Sequence, residues 1–174
     1  PVCAALQVLA KYLMEVIGLR EETCTIAESE HPFTCGFNNH DVRITTHYHE
    51  FAPTFAMFST IHEGGHALYE LGVDERYNGT CLGGGASMGI HESQSRFYEN
   101  IIGRSREFIE LIFPKMQEIF PRQLQNVTAE DLYRAVNKAE PSLIRTESDE
   151  LTYALHIMVR YEIEQTRTGG TLAV

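Results

Sequence analysis

Apolar side chains recur along most of the chain at intervals of three and four residues, which is the spacing of one helix face. The helices predicted in this way span Val2–Ile17, Pro53–Leu71, Ser87–Phe113, Ala129–Lys138 and Glu150–Gln165. Residues that favour helix ends mark several of these boundaries: Gly18 as a stop, Thr128 as an N-cap, and Ser148 or Asp149 as another N-cap. Pro114 is expected to end or kink the third helix, because proline lacks an N–H and clashes with the preceding turn.

The predicted β-sheet content is small. Residues Asp41–Thr46 alternate between apolar and polar side chains, which is typical of a half-buried strand. Thr23–Ala27 is a candidate for another short strand, whereas the His, Pro, Gly and Asn residues of His31–His40 indicate a loop. The predicted fold is therefore mainly α, with one small β-sheet.

Length and composition are those of one globular domain. A chain of 174 residues suits a single domain, and its 43% apolar and 22% charged residues exclude a disordered tail. The formal net charge of −10 argues against nucleic-acid binding, which requires a basic surface. No stretch reaches the roughly 18 apolar residues of a membrane span. Four scattered cysteines without a C-x-x-C pair indicate reduced thiols in a cytoplasmic protein rather than a thiolate zinc site.

The second predicted helix contains the motif H-E-x-x-H, at His62–His66. His62 and His66 would lie about 40° apart around the helix with Cβ atoms about 6 Å apart, so both imidazoles can reach one ion. Glu63 would point about 100° away from His62 and could take a proton from metal-bound water, as in a metalloprotease. The alternative is a pair of histidines that are four residues apart by coincidence.

Two glycines within this motif are unfavourable for a purely structural helix. Gly64 and Gly65 each cost a helix interior about 1 kcal/mol relative to alanine. Close approach of another backbone, or of a substrate, would explain why small residues stand there.

A catalytic zinc requires a third protein ligand and one open position. Glu92, which follows a glycine-rich loop near the start of the next helix, is the best candidate. A solvated first-turn glutamate favoured by the helix dipole would have the same sequence context. Glu99 lies seven residues later on the same face, where it could support a ligand from behind, but we expect it to be a surface charge.

Five motifs follow one another along the chain. They are His31–Phe33 (H-P-F), Asp41–Thr45 (D-x-R-x-T), His62–His66 (H-E-x-x-H), His91–Gln94 (H-E-[SG]-Q) and Ile144–Asp149 (I-R-x-x-A-D, with Ser in place of Ala). Together they resemble the motifs of the carboxypeptidase Taq family of metallocarboxypeptidases. The resemblance covers about residues 30–164, and five motifs in order are far more specific than H-E-x-x-H alone.

The resemblance implies a zincin-like helical core with H-E-x-x-H on a central helix. It implies that His62, His66 and Glu92 bind zinc, or cobalt or another divalent ion, and that Glu63 is the general base. Arg145, from the fifth motif, is expected to help hold the terminal carboxylate of a peptide substrate, since guanidinium groups pair with carboxylates. The implied activity is the removal of single residues from the C-terminus of peptides, in a homodimeric enzyme.

The chain also departs from the family pattern. Members of the family are longer, and their last motif, G-x-x-Q-D-x-H-W, is missing from this chain, which contains no Trp. We therefore expect residues 1–174 to form a single domain, the truncated catalytic core of a longer metallocarboxypeptidase. Two alternatives share the metal site: a zinc endopeptidase, and a metal-binding fragment without catalysis. A third is a partner-binding helical module with a coincidental motif, which predicts no tight metal.

Overall fold

The computed structural model describes residues 2–145 and 148–169 of the chain. The chain divides into two compact units between Tyr133 and Arg134. The H-E-x-x-H motif lies in the first unit.

The described part of the first unit contains four complete α-helices, two shorter helical segments and three strands. Its elements are α1 (Val2–Val16), β1 (Cys24–Glu28), β2 (Thr34–Asn38), β3 (Asp41–Thr46), α2 (Pro53–Leu71), a 3-10 helix (Glu75–Tyr77), α3 (Met88–Arg96), a π-helical segment (Phe97–Ile102) and α4 (Arg106–Ile119). Helix α5 (Ala129–Val136) runs across the division between the units, and α6 (Glu150–Thr168) belongs to the second. The predicted fold class, mainly α with one small sheet, is confirmed.

The sheet has the strand order β1-β3-β2, so β3 is the central strand. β3 pairs in parallel with β1 and antiparallel with β2, where the register is irregular between Gly36 and Asn38. The expectation that His31–His40 is a loop is wrong, because β2 lies within it. Its sequence, TCGFN, contains Gly36 and Asn38, which are depleted in strands, and it is largely exposed, so pairing with β3 rather than local propensity forms this strand.

The core of the first unit lies between α1, α2 and the sheet. Its central cluster consists of Met14, Leu19, Cys24, Val42, Ile44 and Ala67. Helix α2 packs against α1, α3, β2 and β3, which places the H-E-x-x-H motif on a central helix as expected. Helix α1 ends as predicted: Gly18 has a φ of 94°, and the Leu19 N–H donates to the carbonyl of Met14 at 2.9 Å.

The long helix predicted over Ser87–Phe113 is wrong in two respects. It is interrupted after Arg96 by the π-helical segment and a turn, and α4 begins anew at Arg106, where the Ser105 hydroxyl caps it by accepting from the Phe108 N–H. Pro114 lies inside α4 and does not end it. Its missing N–H is tolerated because α4 buries a continuous apolar face, made of Phe108, Ile109, Ile112, Phe113 and Met116.

The last two helices begin where the sequence predicts. The Thr128 hydroxyl accepts from the Asp131 N–H at 3.1 Å, and the Asp131 carboxylate accepts in return from the Thr128 N–H at 3.0 Å. In the second unit, Asp149 rather than Ser148 caps α6 by accepting from the Thr152 N–H. Throughout residues 2–145 and 148–169, no helix combines the length and low charge that a bilayer crossing requires.

Candidate metal centre

Two imidazoles project side by side from α2. The ring centroids of His62 and His66 lie 4.9 Å apart, as expected for residues one helical turn apart. Their side chains are only 17% and 16% exposed, so both rings are held inside the interface between α2 and α3. This burial limits the directions from which a ligand can approach them.

Helix α3 brings the carboxylate of Glu92 to both rings. Glu92 Oε2 lies 3.6 Å from His62 Nε2 and 3.4 Å from His66 Nε2. Three donors that each bind one tetrahedral zinc at about 2.1 Å are separated by about 3.4 Å, so these spacings match. Two imidazole nitrogens and one carboxylate oxygen are also a common donor set of catalytic zinc. In the part of the chain that the structure describes, these three residues are the one such cluster.

Local contacts orient the Glu92 side chain. Its Oε1 accepts from Arg96 Nε at 3.1 Å, and its Oε2 accepts from the Ser95 hydroxyl at 3.2 Å. A hydrogen bond with His66 is the largest influence that lowers the pKa of Glu92, to about 2, with His62 and Arg96 adding to it against the opposing effect of burial. Glu92 is therefore a carboxylate at neutral pH, as a metal ligand must be.

Gly65 permits the close approach of α3 to α2. A Cβ atom at this position would lie 2.8 Å from the Cα of Ser95 and 3.1 Å from the carbonyl oxygen of Gln94. The expectation that another backbone approaches the motif glycines is thus confirmed at Gly65. A Cβ on Gly64 would instead meet the end of the Ile17 side chain.

A second carboxylate holds His62 from the side opposite Nε2. Glu99 Oε2 lies 2.8 Å from His62 Nδ1, and the Glu99 side chain is only 12% exposed. The expectation that Glu99 is a surface charge is therefore wrong. Burial alone would raise the pKa of Glu99, but the hydrogen bond with His62 and the charges of Arg96 and Arg104 hold it below its usual value.

Glu63 is buried beside the two histidines. Its Oε2 accepts from the Thr34 hydroxyl at 2.5 Å, and the same hydroxyl lies 3.1 Å from the Glu63 carbonyl oxygen. Strand β2, which the sequence did not predict, thus fixes one oxygen of the candidate base.

The sequence of the chain matches a known family over nearly its whole length. Residues 3–174 match the model of the carboxypeptidase Taq (M32) metallopeptidase family. The chain belongs to this family. Membership of a metallopeptidase family implies a divalent metal, and the cluster of His62, His66 and Glu92 fits such an ion.

Individual M32 relatives match the chain closely. Carboxypeptidase 1 of Bacillus subtilis is 49% identical over 166 residues, which are 95% of this chain and 33% of that protein. Thermostable carboxypeptidase 1 of Pyrococcus furiosus is 53% identical over 137 residues, 79% of this chain and 27% of that protein. The crystal structure of an M32 carboxypeptidase from Deinococcus radiodurans superimposes with a TM-score of 0.94 at 47% identity and covers 98% of this chain and 34% of that one. The chain therefore spans about a third of the length of the relatives it matches.

Two residues near His66 in this M32 chain were not predicted to support the metal centre. His66 Nδ1 lies 2.8 Å from His91 Nδ1, and His91 Nε2 contacts Glu70 Oε1 on its other side. One signal was available, because Glu70 follows His66 by four residues and so shares its face of α2. His91 begins the H-E-[SG]-Q motif, but the motif does not predict its contact with His66, which depends on how closely α3 approaches α2.

Arg145 belongs to the second unit of the M32 chain. Its Nη1 donates to the Tyr153 hydroxyl at 2.5 Å, and its guanidinium carbon lies 5.4 Å from the centre of the Tyr153 ring. Two residues of its motif, Thr146 and Glu147, lie outside the described residues.

Proposed function

We propose that this chain carries the metal centre of a metal-dependent carboxypeptidase, which hydrolyses the C-terminal peptide bond of peptides. The observation that carries this proposal is the convergence of three ligand atoms on one point, beside a buried carboxylate. The names of the M32 relatives, which are carboxypeptidases, support the same reaction.

The metal-binding residues would be His62 and His66 through Nε2, and Glu92 through Oε2. Three protein ligands leave one position open for water or substrate, the arrangement of a catalytic rather than a structural zinc site. Zinc suits this donor set best, and cobalt or another divalent ion can take its place. When bound, the ion would polarise the scissile carbonyl and make a bound water more acidic.

Glu63 is the proposed general base. It accepts a proton as water attacks the scissile carbonyl, and it delivers that proton to the departing amine nitrogen, so the proton count balances over the reaction. The hydrogen bond from Thr34 to one Glu63 oxygen leaves the other oxygen for this transfer. Burial of Glu63, which is 7% exposed, keeps bulk water from competing for the proton.

Arg145 is proposed to hold the terminal carboxylate of the substrate, which would restrict cleavage to the last peptide bond. The support for this role is its place in the I-R-x-x-A-D motif and the strength of bidentate guanidinium–carboxylate pairs. An endopeptidase with the same metal centre is the alternative, and it needs no such anchor.

Further proposals concern the setting of the enzyme. Peptides are the proposed substrates, and nucleic acids and membranes are not proposed as partners. The four free cysteines support a reducing, cytoplasmic compartment. A homodimer is proposed from the resemblance to the family alone.

The proposed function is tested by comparing the wild-type chain with Glu63→Gln. Both should bind one zinc per chain, measured by elemental analysis after gel filtration, because Glu63 is not a ligand. Turnover of a short peptide should fall by at least about 10²-fold in Glu63→Gln, since general-base catalysis typically contributes 10²- to 10⁴-fold. Wild-type turnover of a free-carboxylate peptide should greatly exceed that of its C-terminally amidated twin.

Each contrary result selects a different alternative. Bound zinc without turnover in the wild-type chain would mean a metal-binding fragment without catalysis. Equal cleavage of the free and amidated peptides would mean an endopeptidase. Full activity of Glu63→Gln would remove Glu63 from the mechanism, and absence of zinc would reject the metal centre itself.

A further inference from the structure

A chain of three side chains extends from His66 away from Glu92. His66 Nδ1 lies 2.8 Å from His91 Nδ1, and His91 Nε2 contacts the carboxylate of Glu70. All three side chains lie mostly inside the structure, with Glu70 and His91 each 19% exposed. We propose that Glu70 and His91 are positioning residues that lock His66 in the tautomer whose Nε2 lone pair faces the metal. This inference rests on the proposed metal centre.

The direction of the hydrogen bonds follows from the chemistry of the end group. An ionised carboxylate can only accept, so His91 Nε2 must donate its proton to Glu70. A neutral His91 with a proton on Nε2 has a lone pair on Nδ1, which then accepts from His66 Nδ1. With a metal bound, His66 therefore keeps its proton on Nδ1 and offers the lone pair of Nε2 to the ion. Without the metal, Nε2 lies 3.4 Å from Glu92 and can donate to that carboxylate instead.

The opposite direction would destroy the ligand. If His91 donated from Nδ1, His66 would have to accept through Nδ1 and carry its own proton on Nε2. That proton would occupy the position that a metal bond requires. The carboxylate of Glu70 opposes this arrangement, because it favours the proton of His91 on Nε2.

The surroundings hold Glu70 and His91 in place. A Cβ on Gly85 would lie 2.5 Å from His91 Cδ2, and the Tyr69 ring lies edge-on to the imidazole at 4.8 Å. Glu70 packs against β2, where a Cβ on Gly36 would lie 3.1 Å from its Cγ. The two glycines thus leave room for a ring and a carboxylate that have little freedom to turn.

The two metal histidines are supported in different ways. His62 contacts the Glu99 carboxylate directly, whereas His66 reaches a carboxylate only through the imidazole of His91. An intervening imidazole transmits the preference of the carboxylate because its two nitrogens have opposite roles, one donor and one acceptor. The role of His91 is thus hydrogen bonding as well as packing. Replacing it by another side chain with an acceptor atom should preserve part of the zinc affinity.

The test measures zinc affinity and tautomer separately. Glu70→Gln removes the charge while keeping the shape, and it should weaken zinc binding by about 10- to 100-fold, the usual range for residues behind a metal ligand. Glu75→Gln is the matched control, because Glu75 forms an exposed pair with His40 at 3.7 Å and the charge change is the same. Affinity is measured by competition with a chromogenic zinc chelator, and folding is monitored by circular dichroism.

A second pair of variants separates hydrogen bonding from packing at His91. His91→Leu removes the acceptor for His66 Nδ1, whereas His91→Asn keeps an acceptor oxygen near the same place. We expect His91→Asn to recover much of the zinc affinity that His91→Leu loses. Equal loss in both variants, or a Glu70→Gln affinity within twofold of the wild-type value, would overturn the inference.

The direction of the hydrogen bonds can be observed in zinc-loaded protein, independently of catalysis. Long-range ¹H–¹⁵N spectra of chain labelled with ¹⁵N-histidine distinguish a proton on Nδ1 from one on Nε2. With zinc bound, His91 should carry its proton on Nε2 in the wild-type chain and in Glu75→Gln, and this preference should weaken in Glu70→Gln. A wild-type His91 protonated on Nδ1 would overturn the inference, whereas absent peptide turnover with the expected His91 tautomer would count against the proposed function alone.

Discussion

Replacing Gly65 by alanine should disturb the metal centre without touching any proposed ligand. The new Cβ would lie 2.8 Å from the Cα of Ser95, which is backbone and cannot rotate away. Ordinary contact between carbon atoms begins at about 3.5 Å, so α3 must retreat from α2 by about 0.7 Å. Glu92 lies one turn before Ser95 on the same helix and would move with it.

Gly65→Ala has two opposing effects on the free energy of unfolding, whereas its effect on metal binding is a loss only. Alanine gains up to about 1 kcal/mol of helix propensity over glycine, while overpacking a close interface costs about 1–3 kcal/mol. The net loss in unfolding free energy is therefore only about 1 kcal/mol. Metal-ligand distances, in contrast, tolerate only about 0.2 Å, so we expect zinc affinity to fall at least about tenfold, or 1.4 kcal/mol.

Two other glycines provide matched controls for the same substitution. Gly89→Ala adds a methyl group that would meet only the Ser87 hydroxyl oxygen, at 3.9 Å, so it should leave zinc affinity unchanged. Gly64→Ala meets the ends of two side chains, Ile17 and Leu19, and no backbone of α3, so it should cost some stability while sparing the metal site. Zinc affinity is measured by chelator competition and stability by urea unfolding, for all three variants and the wild-type chain.

The result for Gly65→Ala that would refute this reasoning is specific. If the variant were more stable than the wild-type chain and bound zinc equally well, α2 and α3 would not be held at the distance the structure shows. A loss of zinc affinity of the same size in Gly89→Ala would also refute it, because that loss could not come from the helix contact.

Two further predictions concern parts of the chain away from the metal. Burial raises the pKa of the Cys24 thiol to about 11, so at pH 8 this thiol stays protonated and unreactive. Iodoacetamide should therefore modify the exposed Cys3, Cys35 and Cys81 first. Equally rapid modification of Cys24, measured by mass spectrometry, would contradict this prediction. Thr128→Ala removes the cap of α5 and should lower the free energy of urea unfolding by about 1 kcal/mol. Thr128→Ser keeps the capping hydroxyl and should retain most of the wild-type stability. Equal stability of the two variants would contradict the capping role.

Helix α2 was predictable because its signals agree with one another. Pro53 suits a first turn, the apolar side chains repeat at helical spacing, and the helix ends at Leu71 as expected. Helix geometry alone then places His62 beside His66. Local pattern was sufficient here because no long-range contact had to be known.

Strand β2 shows where local pattern fails. Only Cys35 and Phe37 alternate with other residues in TCGFN, and Gly36 and Asn38 favour a loop, so local pattern does not separate the two states. The strand forms because it pairs with β3. The hydrogen bond from Thr34 to Glu63 follows from that pairing and was therefore missed as well. The same reasoning applies to Pro114, which α4 accommodates because burial of its apolar face outweighs a missing hydrogen bond.

The groups behind the two metal histidines depend on the distance between two helices, which no spacing within one helix can supply. Glu99 and His91 lie on or directly after α3, and each reaches a ring nitrogen on α2 at 2.8 Å. A hydrogen bond does not survive if the helices separate by 1 Å, because its range is only about 2.7–3.2 Å. The absence of a side chain at Gly65 is therefore a condition for both contacts. The glycine that looked unfavourable for an isolated helix is thus explained by the organisation of the metal centre, and the sequence contained this signal although it did not identify the two partners.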